Sequence, residues 1–347
     1  MSQPYRSHGR AAQSYIDIFA SLPQSLITLV DDPDEANVSY LHMEPHKAAN
    51  IFKDIPRLHQ TYKIGYCVWE ADRLPKEHLS SIQFLDEVWT ASLYNWQMYN
   101  KVHPRVRWIP HVTGGATRAA PSDIDAMKQM LDIKADDFVF LSISEDLPRK
   151  NIVGLTQAFH HVQQRRPNAR LIVKTDGESA HLRVETRGRV TFCRGDFSNE
   201  QIAAMYSLCH TYVSAHCGEG WGLTLSDAMQ HDRLCIATGY SGNMEFMSHG
   251  NSLLVDYSVD IIDSENVYYF FEKTMSWAYP RKESIEAQML RAIELVRSGQ
   301  ATTLVTQAAQ NIKCFDRRHI GLLVRQQLRD IAQHLDRTGG AKISKAR

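Results

Sequence analysis

The sequence predicts an α/β protein with largely parallel sheets, and three observations support this. Short apolar runs typical of strands alternate with helical or loop segments along the first third of the chain. Between Thr211 and Thr238 a strand, a glycine-rich loop, a helix and a second buried strand follow one another. At 347 residues the chain is long enough for two domains of ordinary size. We therefore expect two α/β domains.

Composition narrows the class of protein. The chain carries 39 Lys and Arg residues against 39 Asp and Glu residues, so no overall positive field favours nucleic acid. No apolar run approaches the length of a membrane span, and the N-terminus lacks the apolar stretch of a signal peptide. The six cysteines form no C-x-x-C pair, which favours free thiols in a reducing compartment. We expect a cytoplasmic protein that does not bind nucleic acid. A peripheral contact with the inner face of a membrane and the oligomeric state stay open.

The expected elements follow from apolar periodicity. Helical patterns are expected at Ala11–Ala20, from Ile152 onward, after Ser198 (which forms a capping box with Gln201), and at Tyr268–Met275, Glu283–Val296 and His319–Leu335. Strands are expected at Leu26–Val30, Val38–His42, Lys63–Val68, Glu87–Ala91, Val106–Ile109, Phe138–Ser142, Arg170–Thr175, Val190–Cys193, Thr211–Ala215 and Leu234–Thr238.

The glycine-rich loop is the segment with the clearest chemistry. Gly220 and Gly222 flank Trp221, directly before a helical pattern that begins near Leu223. Glycines let the backbone come close to a ligand, and the free N–H groups at a helix start attract negative charge. The loop therefore predicts an anion-binding site, with a spacing that is neither the dinucleotide fingerprint nor a Walker loop.

The residues around this loop carry a resemblance to a known family. GEGWGLTLSDAM followed by CIATGYSGNMEF resembles the donor-site signature of the retaining GT-B glycosyltransferases of family 4, the glycosyl transferases group 1. That signature has two acids separated by seven residues and a later Gly-Gly-x-x-Glu. Glu219 matches the first acid, Asp227 stands where a second Glu is usual, and Gly242 and Glu245 match the trailing element with Ser241 in place of one glycine. An ordinary strand–loop–helix of an α/β domain is the alternative.

The resemblance implies the GT-B fold, in which two Rossmann-like domains face a cleft. The implied domains are an acceptor-side domain at 1–110, a nucleotide-sugar-binding domain at 111–315, and a C-terminal helix at 316–347 that packs back on the first domain and ends in a frayed tail. In the family a first strand precedes a loop like that at Gly9. Because only eight residues precede Gly9 here, that strand is either very short or the N-terminal domain is abbreviated.

The implied function is transfer of a sugar from a nucleotide-diphosphate sugar to a glycan, lipid-linked or protein acceptor, with retention of configuration. One alternative is a GT-B phosphorylase or another enzyme that processes nucleotide sugars. The other is a non-catalytic GT-B subunit that binds nucleotide sugar or a partner. The sequence does not indicate the base, the sugar or the acceptor.

Two basic residues are candidates for the donor diphosphate. Lys150 matches the lysine position of the family, whereas the expected arginine position holds Glu145, so Arg149 is the candidate substitute. A solvated loop is the alternative for this pair. The backbone candidates that would share the diphosphate are Gly220, Trp221, Gly222 and Leu223. Because the cations and N–H groups can stabilise the leaving phosphate, we expect that no metal is required.

Three acids are candidates for the rest of the donor. The resemblance assigns Glu219 to the sugar hydroxyls as a catalytic residue and Asp227 to the ribose, because a carboxylate can accept two hydrogen bonds. Interaction of Asp227 with the helix dipole is the alternative. Glu245 takes the trailing acid position of the motif, with helix capping as its alternative.

Two residues of the N-terminal domain are weaker candidates. His42 lies in an "H-x-E-P" element that resembles the strand end approaching the reacting sugar, which makes it a catalytic candidate; a structural histidine is the alternative. Glu70 is the acceptor candidate, in a "WE…LP" element that resembles a subset of these transferases. It could instead pair with Arg73.

Overall fold

The computed structural model describes residues 6–176, 181–263 and 266–338. It divides into two compact units. The first unit joins the residues up to Val112 with those from Phe315 onward, and the second unit runs from Thr113 to Cys314.

The first unit contains a four-stranded parallel sheet with strand order β1-β2-β3-β4. Its strands are β1 (Val38–His42), β2 (Tyr62–Tyr66), β3 (Glu87–Thr90) and β4 (Val106–Trp108). Its helices are α1 (Arg6–Ser21), α2 (Ala48–Asp54), α3 (Lys76–Ile82), α4 (Leu93–Tyr99) and the last helix of the described residues, α11 (Arg317–Arg337). Four of the five strands expected here are confirmed, and so is the helix at Ala11–Ala20.

Two expectations for the start of the chain are corrected. The run Leu26–Val30 is not a strand, and Leu29 and Val30 are 52% and 39% exposed. Its apolar composition is that of a buried strand, but no neighbouring strand covers it. Gly9 lies inside α1 and not in a loop after a strand, so the sheet begins at Val38 within the described residues.

A buried carboxylate ties α11 to this sheet. Glu87 is 1% exposed and accepts hydrogen bonds from Trp89 at 2.7 Å, Tyr62 at 3.0 Å and Gln327 of α11 at 2.8 Å. Arg317 and Asp17 form an ion pair of 2.8 Å between α11 and α1. Because a buried charge is costly without hydrogen bonds, these donors fix where α11 packs on the first unit.

The second unit is built on a seven-stranded sheet with order β11-β10-β9-β5-β6-β8-β7. Its strands are β5 (Phe138–Ile143), β6 (Ala169–Thr175), β7 (Arg183–Arg187), β8 (Val190–Arg194), β9 (Thr211–Ser214), β10 (Leu234–Thr238) and β11 (Leu253–Val255). Its helices are α5 (Pro121–Met130), α6 (Ile152–Arg165), α7 (Asn199–Leu208), α8 (Leu223–Gln230), α9 (Lys282–Arg297) and α10 (Ala301–Ile312). All the strands are parallel except β7, which pairs antiparallel with β8.

The strand order creates a switch point in the middle of this sheet. From β5 the chain moves outward through β6 to β8, and it then returns to place β9 on the other side of β5. Without β7, this is the 3-2-1-4-5-6 order of the doubly wound nucleotide-binding folds. The loops that follow β5 and β9 therefore diverge at one edge of the sheet, and ligands of open α/β sheets bind in the crevice between such loops.

A small antiparallel hairpin follows the main sheet. It pairs β12 (Tyr257–Ile261) with β13 (Ser276–Pro280). The helix expected at Tyr268–Met275 is wrong: Phe271 and Met275 have helical spacing, but they are buried beside the hairpin, where Ile262 donates to the Met275 carbonyl at 2.8 Å. The helices expected at Glu283–Val296 and His319–Leu335 are confirmed as α9 and α11.

No helix among the described residues combines the length and the apolar character that a membrane span requires.

Candidate functional site

The candidate site lies where the loops after β5 and β9 meet. The first loop carries Arg149 and Lys150 into the start of α6, and the second carries Glu219 into the start of α8. The Cys217 N–H donates to the Arg149 carbonyl at 2.6 Å and so joins the two loops directly. The switch point of the sheet thus brings two adjacent cations, Arg149 and Lys150, to a carboxylate that lies about 70 positions later in the sequence, Glu219.

Local structure aims the two cations at the second loop. They lie in a single 3₁₀ turn, Pro148–Lys150. Asn151 follows with a left-handed φ of 51°, and its side chain accepts from the Gly154 N–H at 3.2 Å. Asn adopts this conformation more readily than most residues, and it also caps α6. The sharp turn ahead of α6 is what directs the basic side chains away from the helix.

Glu219 is the centre of the site. It is only 7% exposed, and each of its two carboxylate oxygens faces a different cation. Lys150 Nζ donates to Oε1, and Arg149 Nη1 lies 3.4 Å from Oε2 while donating to the Gly218 carbonyl at 3.2 Å. Burial alone would raise the pKa of Glu219, but Lys150 and Arg149 outweigh burial and lower that pKa to about 2. The carboxylate is therefore ionised at neutral pH.

The backbone of Glu219 is held by the turn Ser241–Glu245. The Glu219 N–H donates to Ser241 Oγ at 2.8 Å, and the Gly242 N–H donates to the Glu219 carbonyl at 2.9 Å. Ser241 has a left-handed φ of 73°, at the position where the family motif has glycine. Its hydroxyl satisfies the Glu219 N–H, which offsets the strain of a side chain in that conformation.

The glycine loop presents the start of α8 to this site. Gly222 caps the helix with a left-handed φ of 94°, and Leu223 is the first helical residue. Gly220 and Trp221 are buried, and the Trp221 ring packs 5.0 Å from the ring of Phe246. The first N–H groups of an α-helix have no partner within the helix, so this end can receive an anion.

The remaining acids of the motif lie in the same unit. Asp227 is half-buried at the fifth position of α8, one turn further from the helix start than Leu223. Glu245 is half-buried at the last position of its 3₁₀ turn. Helix capping by Glu245 is not supported, because no helix begins between 246 and 263, all of which the structure describes. Neither acid contacts Glu219 in a described hydrogen bond or ion pair.

The two N-terminal candidates lie at the carboxyl ends of neighbouring strands in the first unit. His42 ends β1; its ring stacks on Tyr66 at 4.7 Å and 9°, and its Nδ1 lies 3.1 Å from the Tyr40 hydroxyl. Glu70 is half-buried four residues after β2. Arg73, its alternative partner, donates to Asp72 at 3.3 Å.

Sequence reasoning missed a second layer behind Glu219. His216 is fully buried, with Ser214 Oγ 3.0 Å from one ring nitrogen and Asn243 Oδ1 3.0 Å from the other. Its position three residues before Glu219 was the available signal, but a lone histidine in an apolar run does not stand out. Across 6–176, 181–263 and 266–338 no group of three or more His, Cys, Asp or Glu residues is arranged to hold a metal ion.

Comparison with known proteins adds a family match and a fold. Residues 123–264 match the family model described as glycosyl transferases group 1. No curated protein sequence matches the chain.

Solved structures resemble the chain over most of its length. HepE from Anabaena, in complex with UDP and glucose, is 16% identical with a TM-score of 0.64, covering 94% of this chain and 84% of that one. Sucrose-phosphate synthase from Thermosynechococcus elongatus is 15% identical with a TM-score of 0.64, covering 86% and 74%. The pneumococcal O-GlcNAc transferase GtfA, in complex with UDP and GlcNAc, is 15% identical with a TM-score of 0.58, covering 85% and 57%. The α/β units with parallel sheets thus match the fold of GT-B glycosyltransferases.

The contact between the turn and the glycine loop generates a prediction about Gly242. A Cβ at this position would lie 2.2 Å from the Gly220 carbonyl oxygen, which is backbone and cannot swing away. We expect Gly242→Ala to lower the free energy of unfolding by about 1–3 kcal/mol, measured by urea denaturation. Gly239→Ala is the control, because its Cβ would make only ordinary contacts at 3.5 Å or more, and it should change stability by about 0.5 kcal/mol at most. Equal effects of the two substitutions would contradict the steric argument.

Proposed function

We propose that this protein is a glycosyltransferase that takes a sugar from a nucleoside diphosphate sugar and transfers it with retention of configuration. The observation that carries the proposal is the convergence of Arg149 and Lys150 on Glu219, beside the start of α8, at the switch point of a doubly wound sheet. The group 1 family match over residues 123–264 supports it, and so do the UDP and sugar present in the HepE and GtfA structures.

The cations serve the leaving group in this proposal. When the bond between the anomeric carbon and the diphosphate breaks, negative charge grows on the phosphate oxygens. Arg149 and Lys150 would stabilise that charge, together with the N–H groups of the segment Gly220–Leu223. Fixed cations and helix N–H groups can supply this stabilisation on their own, so we propose that the donor binds without a metal ion.

Glu219 has two successive partners in this proposal. Without donor it neutralises Lys150 and Arg149, so the diphosphate must compete with it for both cations. With donor bound, its carboxylate would accept hydrogen bonds from the sugar hydroxyls, where its negative charge also stabilises positive charge that grows on the ring.

The acceptor proton requires a base, and we propose that the leaving phosphate takes it. A carboxylate with a pKa of about 2, such as Glu219, is a weak base, and this favours the phosphate. In this step the acceptor oxygen forms its bond to the anomeric carbon on the face that the diphosphate leaves. The acceptor proton passes to a phosphate oxygen, and the products are the glycoside and the nucleoside diphosphate.

Each of the remaining candidate residues is assigned to a part of the donor or to the acceptor. We propose that Asp227 binds the ribose hydroxyls of the donor. We propose that Glu245, at the end of the turn Ser241–Glu245, also binds the donor. His42 is proposed for the reacting sugar, and Glu70 for the acceptor. The acceptor class is a glycan, a lipid-linked saccharide or a protein.

The first experiment tests donor binding. We expect UDP, GDP or ADP to raise the melting temperature, because a ligand that binds only the native state stabilises it. The shift should persist in EDTA. A panel of nucleotide sugars should then show release of the same diphosphate, measured by coupled assay. Binding without turnover for every donor would favour the non-catalytic alternative, and a shift that returns only with a divalent ion would contradict metal-free binding.

Lys150→Ala tests the diphosphate contact. We expect loss of nucleoside diphosphate affinity and of turnover together, because the charge-assisted hydrogen bond is lost in both states. The affinity should fall by about tenfold or more, measured by calorimetry, which corresponds to about 1.4 kcal/mol. Lys134→Ala is the matched control, since Lys134 also pairs with a carboxylate, that of Asp132, but on an exposed loop. Unchanged affinity in folded Lys150→Ala would remove this lysine from the site.

Glu219→Gln separates binding from catalysis. We expect nucleoside diphosphate to bind at least as tightly as in the wild type, because Gln no longer neutralises Lys150 and Arg149. Turnover should nevertheless fall by about tenfold or more, because the charge that stabilises the ring in the transition state is gone. Calorimetry and steady-state kinetics on one preparation measure both quantities. Near-normal turnover would refute the sugar-site role, and weakened binding would refute the competition between Glu219 and the diphosphate.

A further inference from the structure

The imidazole of His216 lies behind the proposed site in a defined hydrogen-bonding chain. Its Nε2 is 3.0 Å from Asn243 Oδ1, and its Nδ1 is 3.0 Å from Ser214 Oγ. Asn243 in turn donates through Nδ2 to the Thr238 carbonyl at 3.0 Å. These hydrogen bonds connect Ser214 at the end of β9 with Thr238 at the end of β10, and they pass through Asn243 in the turn Ser241–Glu245.

This series of hydrogen bonds determines the tautomer of His216. A carbonyl only accepts, so the amide of Asn243 is oriented with Nδ2 toward Thr238 and Oδ1 toward the ring. Oδ1 also only accepts, so the ring proton resides on Nε2. Nδ1 is then the acceptor for the Ser214 hydroxyl. With a neutral imidazole, both ring nitrogens of His216 and both polar atoms of the Asn243 amide have hydrogen-bond partners.

The turn Ser241–Glu245, which carries Asn243, also holds the backbone of Glu219. Ser241 and Gly242 bind the backbone N–H and carbonyl of Glu219. The loop is thus attached to the turn at two places three residues apart, by the His216 side chain and by the Glu219 backbone. A loop that is fixed at both places has little freedom to reorient the peptide that carries the Glu219 side chain.

We propose that His216 is a positioning residue for the reaction: through Asn243 it fixes the turn Ser241–Glu245 against the glycine loop and so orients Glu219. The proposal rests on the proposed function, because it assigns Glu219 to the sugar. His216 itself contacts no substrate in this scheme.

The charges that face His216 are consistent with a neutral ring. Burial lowers the pKa of His216 below its ordinary value, and Lys150 adds to the lowering, whereas Glu219 opposes it. A lowered pKa keeps the ring neutral at neutral pH, which is the form that the hydrogen bonds to Ser214 and Asn243 require.

Two amide substitutions distinguish positioning from simple packing. In His216→Gln the side-chain amide lies near the place of Nε2 and can still donate to Asn243, whereas in His216→Asn the amide is shorter and does not reach it. We expect turnover to stay within about threefold of wild type in His216→Gln and to fall by about tenfold in His216→Asn, the loss of about one hydrogen bond. The affinity for nucleoside diphosphate should stay unchanged in both, because Lys150 and Arg149 remain.

A double-mutant cycle tests whether His216 acts through Glu219. If it does, His216→Asn should reduce turnover in the wild type but have little further effect in Glu219→Gln. Additive losses would overturn the proposal, as would turnover that is equal in the Asn and Gln variants. A wild-type protein with no turnover for any donor would instead overturn the proposed function, and the positioning role with it. Active wild type with an active His216→Asn would overturn the positioning role alone.

Discussion

A buried carboxylate shared by two cations is the interaction on which the second unit's site depends. Glu219 is shielded from solvent, so its charge is tolerable only because Lys150 and Arg149 reach it from the neighbouring loop. The contact requires β5 and β9 to be adjacent, and the doubly wound strand order makes them so. The topology of the sheet and the electrostatics of the site are therefore one constraint: a change of strand order would leave Glu219 buried without its cations.

The second constraint is steric and lies in the backbone. Two segments of chain approach so closely at Gly242 and Gly220 that no Cβ fits between them. Because of this close approach, the turn Ser241–Glu245 forms hydrogen bonds with both the N–H and the carbonyl of Glu219. Only the side chain of Glu219 can then change its partners. The backbone of Glu219 is thus fixed, while its carboxylate could exchange Lys150 and Arg149 for the sugar hydroxyls that we propose as its partners.

Much of the fold could be predicted because buried parallel strands have continuous apolar runs, and nine of the ten expected strands are present. The errors come from segments where tertiary context overrides local pattern. Leu26–Val30 has the composition of a strand but no partner strand. Phe271 and Met275 have helical spacing, yet they are buried by a hairpin that local periodicity does not reveal. The exposed strand β7 carries no apolar run at all, so no pattern marked it.

The site shows a similar division between what motifs reveal and what only packing determines. Glu219 and Lys150 were predicted because they match a motif, and Arg149 was predicted as a substitute although its register differs from that motif. The structure shows how both cations reach one carboxylate: the 3₁₀ turn and the left-handed Asn151 direct Arg149 and Lys150 to Glu219. His216 has no such signal, since the contact on which its proposed role rests is made with Asn243, 27 positions away. A residue that acts by holding another in place is recognisable only once the contacts between distant segments are known.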